Sequence, residues 1–124
     1  MVLKKTFASD RAGMAACQEF LASICDNPRP QIIMDEVVSN IVRCSGAPEF
    51  TVRFDNRDPD GVVAMTFIDR GVPFDPTTEI AQPDITAKAE DRAIGGLGMF
   101  MVKKMSKSVS YSREDGCNVL KVSF

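Results

Sequence analysis

The chain has 124 residues, a formal net charge of −2, and 44% apolar against 26% charged residues. These are globular proportions, and they predict a single domain over 1–124 that buries roughly two-thirds of its unfolded surface without staples. The charge gives no strong general attraction for nucleic acid or anionic lipid, and no apolar run reaches the ~18 residues of a bilayer span.

Val2, Leu3 and Phe7 predict a first strand over 2–8. Met1 to Asp10 carries Lys4-Lys5 but no apolar h-region, so no secretory signal is read there and a cytoplasmic location is expected. Ser9 offers an N-cap oxygen, and Met14, Cys17, Leu21 and Ile24 recur at helical spacing, which predicts an amphipathic helix over 10–25. Asp26-Asn27-Pro28-Arg29-Pro30 breaks it. A second helix is expected from near Pro30, where the missing N–H costs little, to Gly46, with Pro48 beyond. Ile33, Met34, Val37, Val38, Ile41 and Val42 cover most of its circumference, so it is a buried helix whose polar exceptions include Glu36 and Asn40, one turn apart.

Phe50, Val52 and Phe54 alternate, as do Val63, Met65 and Phe67, around the turn residues 56–61. A hairpin would pair Phe54 with Val63 and Phe50 with Phe67. Period two then carries the core face on to Asp69, an inward carboxylate at a strand end. Residues 70–96 suggest a lid or binding loop with at most one helical turn, near Thr86–Glu90. Leu97 to Met105 reads as a helix opening on Gly95-Gly96-Leu97-Gly98. Asp115-Gly116 predicts a last hairpin in which Tyr111 pairs with Leu120 and Val109 with Val122. The order is that of an α+β two-layer sandwich with a mixed, mostly antiparallel sheet and helices on one face, leaving the other face to solvent or a dimer.

The chain contains no His, which removes His general bases, Ser-His triads and His-ligated metals. Cys17, Cys25, Cys44 and Cys117 form no Cys-x-x-Cys pair and read as buried, reduced thiols. Three signals remain. Glu36-x-x-x-Asn40 reads equally as a polar stripe, and Asp69-x-Gly71 as a strand-ending turn. Gly95-Gly96-x-Gly98 reads as a packing cluster or as an anion site at a helix start. Together and in this order they arise by chance about once in a thousand such chains, so the conjunction carries the argument. Glu114-x-x-x-Asn118 repeats the first spacing but straddles the hairpin turn and reads as coincidence. The roles fit a nucleotide. Asp69 could accept from an adenine amino group, and Gly71 would let the ring approach. The glycines would receive phosphates, Asn40 would offer an oxygen to Mg²⁺, and Glu36 could take a proton. The loop 76–94 could close over the phosphates.

The chain resembles the GHKL superfamily with its Bergerat ATP-binding fold, and within it the small bacterial anti-sigma factor serine/threonine kinases. The resemblance lies in Asp35-Glu36-Val37-Val38-Ser39-Asn40, in Asp69 to Pro76, in Glu90 to Gly98 and in Tyr111 to Leu120. It implies that Asn40 coordinates Mg²⁺, that Glu36 is the catalytic base, and that Asp69 and Gly71 bind adenine. It also implies that Gly95, Gly96, Leu97 and Gly98 line the phosphates and that Arg92 meets the terminal ones, with Lys88 a weaker contender. The implied reaction is transfer from ATP to a Ser or Thr of an anti-anti-sigma antagonist, which competes with a sigma factor for a homodimeric protein that touches neither nucleic acid nor membrane. One departure is Cys44, where the family often carries a His. An ATP-dependent binding module, a detached histidine-kinase catalytic domain and a ligand-free structural protein remain alternatives.

Overall fold

The computed structural model describes residues 1–79 and 96–124. The expectations for Arg92, Gly95, Lys88 and a helical turn at 86–90 lie outside the described residues. The elements are β1 (Val2–Ala8), α1 (Arg11–Ile24), α2 (Arg29–Asn40), β2 (Glu49–Asp55) and β3 (Ala64–Asp69), then α3 (Pro76–Glu79), α4 (Gly96–Met105), β4 (Ser108–Glu114) and β5 (Cys117–Ser123). The five strands form one sheet in the order β1-β2-β3-β5-β4. Every neighbouring pair is antiparallel, so the sheet is not mixed.

Alternation decides the faces, because period two sends successive side chains to opposite sides. Phe50, Val52, Phe54, Met65, Phe67, Leu120 and Val122 point one way. They share a core with Cys17 and Leu21 of α1, Ile33, Met34, Val37 and Val38 of α2, and Met99 and Val102 of α4. The helices therefore cover one face. The opposite face carries a polar row across the strands, with Lys4 opposite Arg53, Arg53 opposite Thr66, and Thr66 opposite Lys121, beside an apolar pair, Ile68 opposite Val119. Of the four cysteines expected to be buried only Cys17 is, the other three being partly exposed. Burial, with Asp35 adding to it, pushes the Cys17 thiol up to about 12, so it stays protonated inside the core.

Four more expectations change. The N-cap of α1 is Asp10, not Ser9: its Oδ1 accepts from the Gly13 N–H at 2.7 Å. The β2–β3 register is two residues off, pairing Phe54 with Met65 and Phe50 with Asp69. Val63 is lost to that hairpin because its N–H and C=O both bond Phe124, at 2.7 and 2.9 Å. A two-residue slip keeps the face of every side chain, so Asp69 still points inward. α2 does not remain α-helical up to Gly46; its last turn, Ile41–Ser45, widens to a π turn before Gly46 at φ +70°. Finally, a short helix at Pro76–Glu79 stands in the stretch expected to lack regular structure, its first N–H groups taken up by Asp75. The hairpin β4–β5 has the expected register, with Asp115 and Gly116 both at positive φ.

The joint between β1 and α1 is tight. A Cβ added at Gly13 would stand 1.7 Å from the Ala8 carbonyl oxygen and 2.6 Å from its carbon. Backbone cannot move aside as a side-chain tip can. Gly13→Ala should destabilise the fold by about 1–3 kcal/mol, seen as a lower denaturant midpoint with an unchanged slope.

Candidate functional site

Asp69 ends β3 at 5% exposure, a carboxylate sunk in the apolar layer. Its Oδ1 accepts from Gly71 N at 2.9 Å and from Asn118 Nδ2 at 3.0 Å. Its Oδ2 has no bond among the described residues and is the acceptor left for a ligand. Gly71 is required by its neighbour rather than by its torsions: a Cβ there would lie 2.2 Å from the Ser45 carbonyl oxygen. That oxygen accepts from Val72 N at 2.8 Å, which ties the chain after β3 to the end of the π turn.

Asn118 holds the other side. Besides Asp69, its Nδ2 donates to the Val72 carbonyl at 2.8 Å. Its Oδ1 accepts from Phe74 N at 3.1 Å, Tyr111 Oη at 2.6 Å and Arg113 Nη1 at 3.1 Å. The sequence reading missed this residue, taking Glu114…Asn118 as coincidence. The available signal was the period from Leu120: Asn118 shares its face, so an amide faces the core beside Asp69.

α2 contributes the remaining groups. Asn40 is 2% exposed; its Oδ1 accepts from Arg43 Nη2 at 2.7 Å, while its Nδ2 has no partner among the described residues. Glu36, one turn earlier and half-buried, stands against α4: a Cβ on Gly98 would fall 1.8 Å from its Oε2. A side chain at 98 would make the Glu36 carboxylate swing away from the first turn of α4. Gly96 and Leu97 open α4 as expected, where backbone N–H groups have no helical partner.

Asn40, Ser45, Asp69 and Asn118 are polar side chains of one cleft, walled by Val37, Phe67, Phe74, Tyr111 and Leu120. An apolar slot with a few convergent polar groups has the chemistry of a heterocycle site, but its cavity of about 20 Å³ has room for a water molecule, so the walls must part to admit a base. The expected Asn40 and Asp69 thus come together, with Gly71 bonded to Asp69 behind the cleft and Glu36 and Gly98 in contact one turn along α2. No group of three or more Cys, Asp and Glu side chains gathers to hold a metal among the described residues. A Mg²⁺ ion bound mainly through a nucleotide's phosphates and water needs only one or two protein oxygens. Asn40 Oδ1 is the oxygen that would meet that need, and in this structure Arg43 Nη2 donates to it.

A model of the histidine kinase-like ATPase domain matches residues 11–124. The chain belongs to that family. ATP is the ligand the family implies. This histidine kinase-like ATPase domain is also similar to the serine/threonine-protein kinase BtrW of Bordetella bronchiseptica strain RB50. The two are 29% identical over 92 residues, 69% of this chain and 61% of that protein. The chain therefore spans less than two-thirds of that relative's length. Among the described residues no helix of the ATPase domain is long and apolar enough to cross a membrane.

Proposed function

We propose that this ATPase domain, residues 1–124, is a cytoplasmic, ATP- and Mg²⁺-binding regulator of the anti-sigma type. It transfers the γ-phosphate of ATP to a Ser or Thr hydroxyl of an anti-anti-sigma antagonist protein. The observation that carries this reading is the cleft in which Asp69 and Asn40 meet, with Glu36 one turn away on the same helix. The likeness to a serine/threonine-protein kinase supports it.

In this mechanism Asp69 accepts from the adenine amino group, and backbone N–H groups at Gly96, Leu97 and Gly98 receive phosphate oxygens. Glu36 takes the proton of the acceptor hydroxyl as its oxygen bonds to the γ-phosphorus. The bond from that phosphorus to the β–γ bridging oxygen breaks, and ADP leaves with the electron pair. Asn40 would hold Mg²⁺, whose charge offsets that of the phosphates. On this reading the unphosphorylated antagonist competes with a sigma factor for the protein, which works as a homodimer, apart from nucleic acid and membrane.

Incubation with γ-labelled ATP and candidate antagonist proteins should place label on a Ser or Thr of one of them. Cys44, standing where the family often has a His, favours a second reading: an ATP-dependent partner-binding module without phosphotransfer. Partner capture that needs ATP but leaves every candidate unlabelled would select it.

A further inference from the structure

We infer that Arg43 holds, in the nucleotide-free protein, the place on Asn40 that a metal ion must take, and so sets how far nucleotide binding depends on metal. The inference rests on the nucleotide-binding reading above. Asn40 is 2% exposed, and its Oδ1 is the one side-chain atom of that amide with a bond among the described residues. The bond is to a cation: Arg43 Nη2 lies 2.7 Å away, within the range of charge-assisted contacts. Arg43 Nε also donates to the Ser39 carbonyl at 3.3 Å, which lays the guanidinium back over the preceding turn. The π turn at Ile41–Ser45, which begins at the residue after Asn40, carries Arg43.

The hold is replaceable. Among the described residues the ion pairs are those of Asp55 with Arg53 and Arg57, so Arg43 is held by neutral oxygens alone. A metal and a guanidinium have the same sign and want the same oxygen, so one excludes the other. A displaced Arg43 has somewhere to go, since it borders a shallow groove between the start of α1 and the end of α2, lined also by Asp10, Met14 and Val42. In the unaltered chain, then, Arg43 supplies positive charge when metal is absent and must be moved when metal arrives. Both effects flatten the response to metal.

The test is calorimetric titration with the non-hydrolysable analogue adenylyl imidodiphosphate, in Mg²⁺ and in chelator, on the unaltered chain, Arg43→Met and Arg43→Lys. The reading is the ratio of Kd without metal to Kd with it. Losing a charge-assisted bond should raise that ratio by about tenfold in Arg43→Met. Arg43→Lys keeps a cation of similar reach and should stay near the unaltered ratio; it also shows that the position tolerates replacement. An unchanged ratio in Arg43→Met, or a rise as large in Arg43→Lys, overturns the inference while leaving nucleotide binding intact. Absence of heat in every arm overturns the nucleotide reading and the inference with it.

Discussion

Replacing Glu36 by Gln should lower phosphotransfer by about 10²–10⁴-fold, the range a positioned general base supplies, while leaving ATP affinity close to that of the unaltered chain. The amide has the carboxylate's shape, so the contact with Gly98 survives and α2 keeps its packing against α4. What is lost is the ability to accept a proton from the acceptor hydroxyl. Glu36 is also half-buried rather than sunk in the core, which makes a folding defect a poor explanation for lost rate. Single-turnover transfer from labelled ATP, run beside calorimetry on the same preparation, separates the two quantities. Transfer at the normal rate would remove Glu36 from the chemistry. Equal loss of transfer and affinity would make it a binding group.

Asp69→Asn should weaken ATP binding by about 1–3 kcal/mol, roughly 5- to 150-fold. The hydrogen bonds of the site dictate which way the new amide must turn. Gly71 N and Asn118 Nδ2 both donate to Oδ1, so an asparagine at 69 must keep its oxygen there. Its NH₂ then occupies the place of Oδ2, where a donor meets the adenine amino donor. The same logic predicts that the unaltered site prefers ATP to GTP, since guanine would present a carbonyl acceptor to a carboxylate acceptor. A competition titration with both nucleotides checks each half: affinity for ATP falls in the variant, and the ATP-to-GTP preference shrinks with it. A variant that binds ATP normally would separate Asp69 from the base.

Much of this was legible in the chain itself, because two periods carry it. The 3.6-residue period of α2 puts Glu36 and Asn40 on one face, and the two-residue period of β3 turns Asp69 inward from Met65 and Phe67. Parity is forgiving: the β2–β3 register was two residues off, yet no side chain changed sides. What escaped depends on contacts between distant segments. Asn118 matters because β5 lies beside β3, an adjacency that no local spacing encodes. The π turn after Asn40 is a departure from helical geometry over residues whose propensities do not mark it. Ser9 and Asp10 are both good caps, and the choice between them follows from Gly13 lying under the Ala8 backbone.

The sheet face opposite the helices restricts how two copies could come together. Lys4, Arg53 and Lys121 lie along one row of that face, and Glu49 and Glu114 lie toward one end of it. Stacking two such faces with their rows superposed would set cation over cation. A symmetric pairing built on this surface would have to offset the two basic rows, toward the acids that flank them at Asp55 and at Glu49 and Glu114. A homodimer that used this face would have to keep its two basic rows out of register.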